Sequence, residues 1–98
     1  EKLRILRNVV NRFFSVQIQE RTNQFDKQTT IARKIYFKIG LESGFAGTHL
    51  ARFIDRRNAG IASYNRTSLI KSFKNFPENK ELFTRCKKDY EEKKLRST

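Results

Sequence analysis

The sequence predicts an all-α domain of about five helices, and three observations lead there. Apolar residues recur at helical spacing in five separate stretches, and nowhere does the apolar–polar alternation of a strand appear. Residues that end or start helices fall between those stretches, notably Gly40, Gly44, Gly47 and the lone proline, Pro77. Ninety-eight residues, 37% of them hydrophobic, suffice for one modest core, so the chain reads as a single domain over 1–98. With Glu1 at its start and no methionine anywhere, it is expected to be a piece of a longer protein.

The first helix is expected over 2–14, because Leu3, Leu6, Val10 and Phe13 form one stripe with Arg4, Arg7, Asn8, Asn11 and Arg12 off it. Phe14, Val16 and Ile18 then suggest a bend and a short helix over 17–22. Residues 22–30 are polar and read as a loop pinned by Phe25. Ile31, Ile35 and Ile39, widened by Ala32 and Tyr36, predict a central buried helix over about 28–41. Thr29 or Thr30 would cap it, since a hydroxyl can accept from a first-turn N–H. The glycines at 40, 44 and 47 would end it, with Phe45 tucked inward.

A third helix over about 46–55 is marked by Leu50, Phe53 and Ile54. A connection over 56–64 follows, with Ile61 needing an apolar seat in its middle. Asn65 is then placed to cap a helix over 66–76 that buries Leu69, Ile70, Phe73 and Phe76. Pro77 opens the last helix at the one position where a missing N–H costs nothing. Leu82, Phe83, Cys86 and Tyr90 make its apolar face, and its pattern fades beyond about Glu92.

Two short amphipathic helices joined by a polar, glycine-containing turn have the layout of a helix-turn-helix, here over about 46–76 with a long turn. Charge concentrates on the same stretch. The chain carries 22 lysines and arginines against 10 acids, a net charge of +12. Residues 44–76 hold six of those bases (Arg52, Arg56, Arg57, Arg66, Lys71, Lys74) against Asp55 alone, whereas residues 77–98 are nearly balanced. An excess of this size calls for an anionic partner, nucleic acid before a membrane surface.

These features predict binding to double-stranded DNA with sequence preference. Arg66, Thr67, Ser68 and Lys71 are the candidates for reading base edges. The N–H groups of a helix start would favour an anion beside Thr67 and Ser68, and an arginine can pair with a guanine's O6 and N7 for about 1–3 kcal/mol of discrimination. Lys27, Arg33, Arg52, Arg56, Arg57 and Lys74 are the candidates for phosphate contacts. Competing roles stay open: Thr67 and Ser68 as caps of their own helix, Arg33 in an internal salt bridge, Tyr64 packed under the turn. A basic module docking an acidic protein and a non-specific RNA binder are the alternative functions.

Several motifs resemble the C-terminal duplex-binding domain of the bacterial replication initiator DnaA, or a phage- or plasmid-encoded relative. They are Val10-Asn11-Arg12-Phe13-Phe14-Ser15-Val16, Ala32-Arg33-Lys34-Ile35, Leu50-Ala51-Arg52-Phe53-Ile54, Arg66-Thr67-Ser68-Leu69-Ile70 and Phe76-Pro77-Glu78. The resemblance spans roughly 5–92 and implies a helix-turn-helix in which Arg66-Thr67-Ser68-Leu69 opens the recognition helix. It also implies a place in the cytoplasm, at the nucleoid. The family's glycine-glycine-arginine-aspartate-histidine signature is absent, and a longer connection stands in its place.

No enzyme is expected. His49 has no serine, cysteine or acid partner suggested nearby, and Cys86 falls on an apolar stripe. The sequence holds no phosphate-binding loop, and its single histidine and single cysteine cannot build a typical zinc site. Neither a cofactor nor a small-molecule substrate is indicated. No apolar run approaches the roughly 20 residues of a membrane span.

Overall fold

Among the described residues, five helices form where the apolar stripes lie. They are α1 (Lys2–Phe14), α2 (Lys27–Glu42), α3 (Gly47–Phe53), α4 (Ile61–Asn75) and α5 (Pro77–Arg96). This computed structural model describes residues 2–20, 26–56, 58 and 60–96, and no strand occurs among them. The all-α class and the five-helix count expected from the sequence both hold.

Helix α2 is the hub, packing against α1, α3, α4 and α5. Its residues from Ile35 to Gly40 are all buried, as a helix enclosed on every side requires. Lys38 is tolerated there because its ammonium sits 4.2 Å from the centre of the Phe83 ring and pairs with Glu42. Glu42 also accepts from Lys87 at 2.8 Å, tying the end of α2 to α5. Around α2 the core gathers Leu3, Leu6, Val10 and Phe14 of α1, Leu50 of α3, Leu69 of α4, and Phe83, Cys86 and Tyr90 of α5.

The short helix expected over 17–22 does not form over its described part. Residues 18 and 19 make a turn instead, because the Asn11 side chain accepts from the Ile18 N–H at 2.9 Å and donates to Gln19 at 3.0 Å. That clamp folds the chain back on α1 and drives Ile18 into the core. Phe25 and the start of the loop expected over 22–30 lie outside the described residues.

Helix α2 starts about a turn before Thr30. Its N-cap is Asp26, whose carboxylate accepts from the Thr29 N–H and, at 2.8 Å, from the Thr29 hydroxyl. Thr29 is thus the donor to the cap and not the cap, and Thr30 turns its hydroxyl back to the Asp26 carbonyl. Gly40 does not end the helix but lies inside it, buried against Leu50. Gly47 likewise opens α3 and terminates nothing.

Three helices end in one hydrogen-bond pattern. A residue at positive φ follows the helix, and two N–H groups fold back onto carbonyls of the last turn. At α1 the residue is Ser15 (φ 56°), with Val16 donating to Asn11 at 3.0 Å and Ser15 to Arg12 at 3.3 Å. At α2 it is Gly44 (φ 95°), with Phe45 donating to Gly40 and Gly44 to Leu41. At α3 it is Asp55 (φ 59°), with Arg56 donating to Ala51 at 2.8 Å and Asp55 to Arg52 at 3.0 Å. At the far end of the chain, α5 continues to Arg96, one turn past the expected fading near Glu92.

Two predictions follow from these contacts. A Cβ at position 40 would stand 2.9 Å from Leu50 Cδ1 and nearer still to Cδ2. Gly40→Ala is therefore expected to cost about 1–3 kcal/mol in urea unfolding, and the double variant with Leu50→Ala should lose less than the sum of the two single losses. Acid should weaken the fold as well. The Thr29 hydroxyl's hydrogen bond lowers the Asp26 carboxyl below 3.8. Burial alone would raise Glu42, but hydrogen bonds from Lys38 and Lys87 outweigh it and lower the group below 4.5. Both groups are depressed in the folded state, so their stabilisation is present above the unfolded values and is lost as pH falls through the folded ones. The urea midpoint should drop between about pH 5 and pH 2, and Glu42→Gln should flatten that slope.

Candidate nucleic-acid interface

The sequence expectation of two short helices joined by a long turn corresponds to α3, residues 54–60 and α4. Helix α3 has a fixed end. The Tyr36 hydroxyl, buried on α2, donates to the Leu50 carbonyl at 2.7 Å, satisfying one of the last-turn carbonyls of this seven-residue helix. Burial raises the Tyr36 hydroxyl well above its ordinary value, so it remains a donor at any physiological pH. On another side, the Arg7 guanidinium of α1 lies 5.0 Å from the centre of the Phe53 ring.

The turn is shorter than the 56–64 expected, and α4 starts at Ile61, five residues before the predicted start. Asn58 governs that start: its side-chain oxygen accepts from the Gly60 N–H at 2.9 Å and its carbonyl from the Ile61 N–H at 3.1 Å. Ile61 joins the partly buried apolar shell and Ala62 is buried, so the supposed middle of the loop is the first turn of a packed helix. Asn65 is not a cap. It sits inside α4 and donates to the Ile61 carbonyl at 2.7 Å.

Starting α4 earlier reassigns the predicted base readers. Arg66, Thr67 and Ser68 occupy the second turn of the helix, so its free N-terminal N–H groups are not theirs. The capping role considered for Thr67 and Ser68 falls for the same reason. Successive helical residues are rotated by about 100°, so Arg66 and Ser68 point about 160° apart and cannot enter one groove together. Thr67, Ile70, Lys71 and Lys74 do share a face, spaced three, one and three apart, and all four are exposed. Arg66 is exposed beside this face, while Ser68 is half-buried on its far edge. Three residues assigned to packing are instead exposed: Tyr64 at 71%, Ile70 at 48% and Phe76 at 54%. Ile70 is rotated out because Leu69, aligned with Ala62 and Phe73, takes the core position next to it.

The phosphate candidates divide. Arg52 is exposed on α3 and Lys74 on the last turn of α4. Lys27 and Lys34 of α2 line a groove of about 440 Å³ whose other wall includes Phe76 and Asn79, at the α4–α5 junction. Arg33 has an internal task, though not the salt bridge considered for it. Its Nε donates to the Ile18 carbonyl at 2.9 Å and its Nη2 to the Glu20 carbonyl. Arg56 reaches the same Glu20 carbonyl at 3.4 Å and the Ile54 carbonyl at 3.0 Å. Burial, and then the nearby charge of Arg56, lower the proton affinity of Arg33. Arg33 holds the turn after α1 against α2, and Arg56 holds it against the turn after α3. Arg57 lies outside the described residues.

Cys86 is buried, and burial with the nearby Asp89 pushes its thiol up to about 12, so it is protonated at neutral pH. His49 is exposed on α3. Among the described residues there is no group of three histidines, cysteines or acids placed to hold a metal ion. No described helix is long and apolar enough to cross a membrane.

Fold and surface together define a basic, all-helical multi-helix domain with an exposed polar and cationic face on its fourth helix. Compared with models of protein families, with curated proteins and with solved structures, the chain matches none.

The geometry around Arg33 carries a prediction of its own. Arg33→Ala removes hydrogen bonds from a charged donor to two carbonyls and should lower stability by about 1–2 kcal/mol, read as a fall in thermal midpoint. Affinity for duplex DNA, measured well below that midpoint, should be unchanged. A loss of affinity without a loss of stability would return Arg33 to the phosphate contacts.

Proposed function

We propose that this domain binds double-stranded DNA by laying the outer face of α4 in the major groove. The observation that carries the reading is the exposed set Thr67, Lys71 and Lys74 on a helix without a single carboxylate, flanked by Arg66, with Arg52 also exposed on the preceding helix α3. Among the described residues no ion pair engages any of these bases. A DNA groove supplies the anions that the protein does not. Thr67 and Lys71, near the middle of the face, are the base readers in this proposal, and Arg52, Arg66, Lys74 and Lys27 contact the backbone. Groove contact comes from the side of the helix, since Arg66, Thr67 and Ser68 stand a turn away from its N-terminus.

The resemblance to an initiator's origin-binding domain makes replication initiation, in a bacterium or a mobile element, the narrower form of the proposal. Neutralising about four phosphates predicts that log affinity falls with log salt at a slope of about −3.6. Lys71→Ala should relax sequence preference among duplexes selected from a random pool, whereas Arg52→Ala should weaken all of them alike and reduce the slope by about 1. Mobility-shift titrations across a salt series read both effects. Failure to bind any duplex at physiological salt would reject the proposal in favour of a protein-docking module, and tighter binding to single strands would favour RNA.

A further inference from the structure

The outer face of α4 contains one residue that electrostatic binding leaves unexplained. Ile70 is 48% exposed between Thr67, Lys71 and Lys74, rotated away from the core that Leu69 enters. In a helix a β-branched side chain is held near one rotamer, so Ile70 presents a stiff apolar knob and not a mobile one. In the major groove the one methyl group on any base edge is the C5 methyl of thymine. An isoleucine entering that groove displaces water, and only above a thymine does it gain an apolar surface in return.

We propose that Ile70 reads thymine methyl groups, so that the preferred duplex carries a T·A pair beneath the middle of α4. This assignment rests on the duplex-binding reading above. The surroundings of Ile70 favour DNA over an apolar protein surface. An apolar partner covering Ile70 would also bury the ammonium groups of Lys71 and Lys74, for which α4 offers no counter-ion. A duplex offers Lys74 the phosphates of a rim and Lys71 the acceptors of a base edge, while its groove floor meets the isoleucine. Arg52, Arg66, Lys74 and Lys27 position the helix, and Ile70 adds an apolar contact to the base reading by Thr67 and Lys71.

The test begins with duplexes recovered by selection from a random library with the whole chain. Their consensus should contain thymine. They are then resynthesised with deoxyuridine in place of thymidine, one position at a time, which removes only the methyl. At the contacted position the parent protein should lose about fourfold in affinity, the equivalent of about 0.8 kcal/mol for one buried carbon at about 1.4 kcal/mol per tenfold. Ile70→Ala should bind the thymidine and deoxyuridine duplexes alike, with its helix content unchanged by circular dichroism. The inference is overturned if the parent ignores every such replacement, or if Ile70→Ala still discriminates. Binding that ignores the methyl leaves duplex recognition standing, whereas absence of any duplex binding removes both readings.

Discussion

Helices α2 and α3 approach so closely at Gly40 that the side chain of Leu50 occupies the space where any other residue would place its Cβ. One turn of α2 earlier, the Tyr36 hydroxyl takes the Leu50 carbonyl. The same leucine is therefore held by its side chain and by its backbone, and through it the whole of a seven-residue helix. A helix that short has almost no stability of its own, so its orientation is set by whatever grips it. Because α2 also packs on α1, α4 and α5, this contact joins α3, the helix that carries Arg52, to the centre of the core.

Cations in this chain serve two purposes that composition cannot separate. Lys38 and Lys87 act on Glu42, and Arg33 and Arg56 act on the Glu20 carbonyl, all within the fold. Arg66, Lys71 and Lys74 project from α4 into solvent. A net charge of +12 opposes a compact state through its own repulsion, and the chain offsets part of this by turning some cations onto carbonyls and aromatic rings. The cations left outward on α4 are the ones that give the proposed interface its charge.

Much of the fold was legible because apolar spacing follows helix geometry directly. The stripes of α1 and α2, the opening of α5 at Pro77 and the inward Phe83, Cys86 and Tyr90 needed no knowledge of neighbours. Helix ends were harder to read, for a specific reason. Gly44 is a recognisable stop, whereas Ser15 and Asp55 adopt the same left-handed backbone without the glycine that usually signals it. The start of α4 misled in a similar way. Asn65 looks like a cap, but Asn58 followed by Gly60 makes the turn, and the pairing of Ala62 with Leu69 at a seven-residue spacing was the available clue.

Sequence alone determined the helical class, the five apolar stripes, the single core and the concentration of positive charge over residues 44–76, because each depends on residue order and on nothing further away. Tertiary structure decided which members of those stripes face outward and which cations are spent internally. Position 70 illustrates the difference: isoleucine satisfies the apolar pattern of a buried residue, yet Leu69 already fills the core beside α2, and the rotation of about 100° per residue carries Ile70 out of that contact. Arg33 illustrates it from the polar side, since the carbonyls it holds lie 13 and 15 residues away and become partners only when the chain folds back.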